Sequence, residues 1–118
     1  MPGEELVSAF FASMNGRDLE ALEGFLDEGA QFHFPKTGPL LGRERILKFF
    51  RLLFRRFPRL DFTIRRTLVQ GEWAAVHWTN DGITRKEEAY RNEGVTLLHV
   101  EKGKIRYMSD FFKDTEKF

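Results

Sequence analysis

Apolar side chains recur three and four residues apart through the first half of the chain and two apart through the second. Leu6, Val7, Phe10, Phe11 and Met14 share one face of a helix over residues 5–14. Asn15-Gly16 reads as its stop. Asp18 then caps a short helix that presents Leu19, Leu22, Phe25 and Leu26, with Gly29 as its end. Residues 31–34 alternate as a short strand closed by Pro35, and Lys36-Thr37-Gly38-Pro39 is a loop by composition. The longest helical pattern runs over 43–57, with Ile46, Leu47, Phe49, Phe50, Leu53, Phe54 and Phe57 on a wide apolar face. Pro58 stops it.

The period then changes to two. Strands are predicted over 60–69, 73–80, 90–100 and 105–112. Gln70-Gly71, Asp81-Gly82 and Lys102-Gly103 read as turns, and residues 84–88 as a charged connection. Helices at the front and hairpin-linked strands at the back define an α+β domain spanning residues 1–118. The third long strand is apolar on both faces, with Val95, Leu97 and His99 on one and Thr96, Leu98 and Val100 on the other. A meander sheet normally wets one face. Helices on one side and a second copy of the sheet on the other would cover both, so the expected assembly is a homodimer through the convex sheet face.

The chain has 118 residues, 42% hydrophobic and 31% charged, which is enough to bury a core without staples. Thirteen Phe make an unusual aromatic payload, and the absence of Cys excludes disulfides, a thiolate nucleophile and a zinc ribbon. No segment reads as a signal peptide or a membrane span, so the expected compartment is the cytoplasm. The net charge of +1 is unevenly spread: residues 36–66 carry ten basic and two acidic groups. Lys48, Arg51, Arg55 and Arg59 fall on one helical stripe with no aromatic alternating among them, which fits a solvated face better than a nucleic-acid platform.

Several segments resemble one family in the right order over residues 6–114. Phe10-Phe11-Ala12-Ser13-Met14-Asn15-Gly16-Arg17-Asp18-Leu19-Glu20-Ala21-Leu22 resembles a helix–turn opening. Gly42-Arg43-Glu44 resembles the start of a third helix, and Phe57-Pro58 the entry to the second strand. Ala74-Ala75-Val76-His77-Trp78-Thr79 and Gly103-Lys104-Ile105, with Asp110 beyond, resemble later strands. The family is the SnoaL-like group, within the ketosteroid-isomerase and nuclear-transport-factor-2-like superfamily. The resemblance implies a cone-shaped, curved antiparallel sheet wrapped around three helices, an apolar pocket at the open end, and a dimer. It implies no single reaction, because the fold hosts many.

Matching isomerase positions residue by residue puts Phe10 where that chemistry has a Tyr, Phe34 where it has a base, and Thr96 where it has a second acid. None can move a proton as that mechanism requires. Limonene-epoxide-hydrolase and polyketide-cyclase branches carry a pocket Asp on the last strand, and Asp110 is the counterpart. The hydrolase partners would fall near Gly94 and Thr96.

Asp110 shares its strand face with Met108 and Phe112, so desolvation should raise its pKa and poise it as the catalytic acid/base. The plainer alternative is an Asp that pairs with an Arg or caps a turn. Phe10, Met14 and Phe34 are expected to line the ligand pocket. Trp78 either walls it or is simply core, and Asn80, on the same face, could donate a hydrogen bond to a ligand carbonyl. Tyr90, Asn92 and Thr96 would add polar groups. His33, His77 and His99 show no metal-ligand spacing. No cofactor motif is present, and no metal or cofactor is expected. Two functions remain open: a protein that binds an apolar, ring-sized ligand with acid/base chemistry at Asp110, or a non-enzymatic ligand-binding or protein-interaction module of the same fold.

Overall fold

The computed structural model describes residues 2–116. Helix α1 (Pro2–Asn15) and helix α2 (Leu19–Phe25) lead into strand β1 (Leu26–His33) and a two-residue strand β2 (Leu40–Leu41). Helix α3 (Arg43–Arg56) follows, then β3 (Arg59–Gln70), β4 (Trp73–Ile83), β5 (Ala89–Glu101) and β6 (Lys104–Phe112). The strands form one sheet in the order β2-β1-β6-β5-β4-β3. Its inner face closes over the helices, giving the expected α+β cone. Among the described residues no helix is long and apolar enough to cross a membrane.

One pairing departs from an all-antiparallel sheet: β1 runs parallel to β6. A parallel pair needs a long crossover, and here α3 and the whole β3–β6 meander supply it. The second helix is also shorter than its apolar spacing suggests. Leu26 is extended, pairs with Ile105 and is fully buried, so β1 begins where the helix was expected to continue, and Gly29 lies within the strand. Leu22 and Leu26 keep helical spacing yet reach the core from two different elements.

Asp81-Gly82 is likewise not a turn. Both residues extend β4, opposite Asp61 and Leu60. A Cβ on Gly82 would lie 2.2 Å from the Arg59 carbonyl oxygen, so this glycine permits a close approach of backbones. Arg59 opens β3 instead of completing the helical stripe; it pairs with Asp61 at 3.0 Å and Asp81 at 3.6 Å. Lys48, Arg51 and Arg55 are exposed on α3.

Two side-chain ties fix the helices on the sheet. Asn15 donates to the Phe62 carbonyl at 2.9 Å and accepts from the Phe62 N–H at 2.8 Å, pinning the end of α1 to β3. Arg17 donates to the carbonyls of Phe54, at 2.7 Å, and Phe57, while its guanidinium lies 5.1 Å from the centre of the Phe54 ring. Carbonyls at the end of α3 would otherwise lack partners. Behind these ties sits the core: Val7, Phe10, Leu22, Leu26, Ile46, Val76, Leu98 and Ile105 are all fully buried. A smaller cluster of Phe57, Leu60 and Tyr90 closes one end.

Like Gly82, Gly94 is a tight inward position of the sheet. It lies opposite Trp78 on β4 and Phe112 on β6. An added Cβ would meet the Phe111 carbonyl oxygen at 2.4 Å, Phe112 Cβ at 2.7 Å and Trp78 Cζ2 at 2.8 Å. Gly94→Ala is therefore expected to destabilise the fold by about 2–3 kcal/mol, the upper end of the usual overpacking range. Gly38→Ala, with nothing within 4 Å of the new methyl, should stay within about 0.5 kcal/mol of wild type. Urea melts of the two variants test the contrast, and equal midpoints would refute it.

Candidate functional site

The inner face of β3–β6, the tip of β1 and helices α1 and α3 enclose a cavity walled almost entirely by aromatic rings. Its free volume is about 40 Å³, room for roughly two or three waters. Phe10, Met14, Phe34, Trp78, Asn80, Tyr90, Thr96, Met108, Phe112 and Asp110 all line it. Alternation on each strand brings them together: alternate residues of β4, β5 and, from Met108 onward, β6 point inward.

Asn92 does not line the cavity. Its Nδ2 donates to Tyr90 Oη at 2.7 Å and to the Asp114 carbonyl at 2.8 Å, and its Oδ1 accepts from the N–H groups of Glu93 and Asp114. It holds Tyr90 and fastens the end of β6 to β5. Burial pushes the Tyr90 phenol up to about 12 against the opposing effect of the Asn92 bond, so Tyr90 stays neutral at physiological pH.

The wall contains more residues than those expected at the pocket. Phe49 and Leu53 of α3 and Phe62 of β3 also face the cavity. Phe34 packs 4.7 Å from Phe49 and 5.3 Å from Phe112, ring centre to ring centre. Phe62 meets Trp78 edge-on at 5.1 Å. The helical spacing Phe49, Leu53 was visible in the sequence. What was not visible is that the α3 face is wide enough to serve core and cavity at once.

A hydrogen-bonded chain crosses three strands inside this wall. Trp78 Nε1–H donates to Thr96 Oγ1 at 2.8 Å, and Thr96 Oγ1–H donates to Asp110 Oδ1 at 2.6 Å. The indole fixes which way the hydroxyl points, because an N–H can only donate and the hydroxyl proton must then go elsewhere. Asp110 keeps some accessible surface where it faces the cavity, but protein surrounds its carboxyl. Desolvation pushes its pKa up to about 7, partly offset by the Thr96 hydrogen bond. Close to neutrality, both the acid and the base form of Asp110 are populated.

The histidines lie elsewhere. His33 packs against Tyr107 at 5.2 Å on the outer face, and His77 accepts or donates a 2.6 Å hydrogen bond with Glu93. His99 does converge with carboxylates: ligand atoms of Glu72, His99 and Glu101 lie within 4.8 Å of one another. Sequence spacing did not reveal this group, because a hairpin brings residues 72 and 99 together. Glu101 is already engaged by Arg106 at 2.8 Å, and Glu72 by His99 at 3.3 Å.

The raised Asp110 pKa fixes the sign of a pH effect. Folding favours the protonated carboxyl, so its contribution is fully present below the unfolded value near 3.8 and is lost as pH rises through about 7. Relative to Asp110→Asn, wild type should lose up to about 4 kcal/mol between pH 4 and pH 8, at 1.36 kcal/mol per pKa unit. The Asn variant should be the more stable protein at pH 8. Thermal melts across this range measure it, and a wild type that gains on the variant as pH rises would refute the assignment.

Comparison with known proteins fits this geometry. A protein from Jannaschia sp. CCS1, named as a candidate SnoaL-like polyketide cyclase, superimposes with a TM-score of 0.86 at 21% identity, covering 95% of this chain and 85% of that one. An NTF2-like protein of unknown function from Burkholderia pseudomallei K96243 gives 0.89 at 16% identity, covering 96% and 92%. An epoxide hydrolase of the LEH-like type from M. tuberculosis gives 0.84 at 17%, covering 95% and 83%. Such identities establish the shared fold alone. No curated protein sequence matches. The SnoaL-like domain model, in contrast, matches residues 7–108, most of the chain. With the cone, its order of elements and this match in agreement, the chain belongs to the SnoaL-like domain family.

Proposed function

We propose that the cavity binds a small, apolar, ring-sized ligand and that Asp110 moves a proton on it. The observation that carries this reading is the Trp78–Thr96–Asp110 chain: a carboxyl held in one orientation, near neutral pKa, facing an aromatic cavity. A general acid/base works best with its pKa close to the operating pH. Cyclase-, isomerase- and hydrolase-like steps all begin with such a transfer. The family and the neighbouring structures named for a polyketide cyclase and an epoxide hydrolase support the same class.

In this reading Asp110 takes a proton from an acidic C–H or O–H of the bound ligand and returns it at another position. Thr96 keeps one carboxyl oxygen engaged, leaving the other to face the ligand. The aromatic wall excludes water, which strengthens every polar contact inside. Ring faces of Phe34, Phe62 and Phe112 suit a flat unsaturated ligand. The small free volume requires the rings near the opening to move aside on binding, and Phe34, Phe49 and Phe112 are the partly buried ones there.

A non-enzymatic carrier is the second reading, and one observation favours it. Phe10 and Phe34 occupy the cavity positions where isomerases of this fold place their Tyr and their base, so no second proton-transferring group stands opposite Asp110 in those places. Deuterium exchange separates the two. Cyclic enones and β-diketones that shift the melting temperature would be incubated in D₂O, and α-deuteration followed by NMR. Wild type should catalyse exchange with a pH profile that turns near 7, and Asp110→Asn should lose at least about 100-fold, the lower range for a general base. Binding without exchange, or exchange that survives in the variant, establishes the carrier reading or another base.

The same proposal includes a dimer through the outer sheet face. Leu68, Trp73, Val95 and Phe111 are 62%, 43%, 37% and 59% exposed there, and exposed apolar side chains gathered on one face support an association surface. Light scattering should find a dimer at micromolar concentration, and Phe111→Glu should shift it to monomer while the cavity stays intact. A wild-type monomer would overturn this part alone.

A further inference from the structure

We propose that Asn80 is where the cavity reads a hydrogen-bond donor on its ligand, so that the ligand carries a neutral hydroxyl remote from Asp110. This rests on the reading that the cavity takes a ring-sized ligand, and it adds what that ligand must present.

Asn80 lines the cavity and is 8% exposed, and its Oδ1 is buried with no hydrogen-bond partner. Buried polar atoms are almost always paired, and an orphan acceptor is costly to keep in a fold. The donors on its strand neighbours are engaged elsewhere. Opposite Asn80 across β4–β5 is Asn92, and both Nδ2 bonds of Asn92 go to Tyr90 and Asp114. The Trp78 N–H, two residues away on the same face, is committed to Thr96, and the Thr96 hydroxyl to Asp110. Phe62, opposite on β3, offers only a ring, its N–H being taken by Asn15.

The chemistry of the vacant bond follows from the atom. A carbonyl oxygen accepts, so the group that completes this bond is an O–H or N–H. One neutral acceptor in a largely apolar cavity matches one hydroxyl. An ammonium would leave two of its three N–H groups unsatisfied at this end. Asn80 lies level with Asn92 on β5, whereas Asp110 lies level with Thr96, four residues along the same strand. That offset is ~13 Å along the strand. The hydroxyl is thus a handle that positions the ligand, at the other end of the cavity from the proton transfer. Asn80 is a specificity-determining residue, not a catalytic one.

Phenol and toluene have nearly the same shape and differ at the relevant group, so their affinities by NMR titration are the test. In a cavity without an acceptor, toluene is preferred because phenol must shed its hydration. Wild type should prefer phenol, and Asn80→Leu should lower the phenol-to-toluene ratio about tenfold, the share of one hydrogen bond. Gly38→Ala, whose new methyl meets nothing within 4 Å, should leave that ratio within about twofold. The ligand-free Asn80→Leu protein should also melt at a higher temperature, because an orphan acceptor has been removed. If the Leu variant does not fold, Asn80→Ala carries the same expectation for the ratio. An unchanged ratio in the Asn80 variants overturns the inference, as does a ratio that falls as far in Gly38→Ala. If wild type takes up neither probe, the cavity reading itself falls; toluene binding without an Asn80-dependent preference overturns only the hydroxyl assignment.

Discussion

A missing side chain at Gly94 is the constraint on which the site depends. Between Trp78 and Phe112 the sheet has no Cβ, and within 2.8 Å of where one would stand lie atoms of both. The indole can therefore lie across β5 and reach Thr96, two residues further along that strand, at 2.8 Å. Thr96, directly opposite Asp110, is in turn oriented toward the carboxyl. An acid with a raised pKa is useful only if it is held still, and the hydrogen bond that holds it comes from a residue that is itself held. One glycine on β5 thus sets the geometry of groups on β4, β5 and β6.

Aromatic rings do two jobs around that chain. Phe10, Phe11, Phe32 and Phe50 are buried core that also lines the cavity: Phe10 meets Phe11, Phe25 and Phe50 edge-on at 6.0–6.3 Å, and Phe32 stacks on Phe50 at 6.2 Å. Toward the open end, Phe34, Phe49 and Phe112 are only partly buried and pack on one another at 4.7–5.3 Å. Rings tilt and slide past each other with little loss of contact, so a wall built of them can yield without unfolding. Desolvation of Asp110 has the same origin. The rings that fill the cone exclude water from its carboxyl, and the raised pKa is the electrostatic consequence of that packing.

Much of this was legible in the sequence because alternation and register are local. Met108, Asp110 and Phe112 had to share a face, and so did Trp78 and Asn80. The family resemblance, carried by short segments from Phe10 to Asp110, placed those faces in a cone. Where reading failed, a distant partner decided. Leu26 belongs to β1 because Ile105 of β6 pairs with it, and the sequence holds no mark of that parallel contact. Asp81-Gly82 has turn composition, yet Arg59 approaches so closely that only glycine fits a continuing strand. A register shift near His99 and Val100 lets Ile105 point inward together with Met108, against strict alternation. Asn92 lies on the correct face but is drawn off by Asp114, a residue beyond the last strand.

Two groups in the cone work against folding, and their placement is informative for that reason. Asp110 is desolvated, and Asn80 Oδ1 has no partner. A core selected for stability alone would carry Leu or Val at both positions; each fills similar space and neither has a polar atom to satisfy. The rest of the interior obeys that rule, since Asn80 Oδ1 is the one buried side-chain polar atom left unpaired among the described residues. Local rules that hold everywhere except around one cavity point to what the cavity is for. On the function proposed above, a ligand that supplies a donor at one end and a proton-exchanging group at the other would relieve that penalty. Apolar walls alone would favour any greasy molecule of the right size. Discrimination requires polar groups whose unmet demand rejects the wrong ligand, and this cone has them at two separate points.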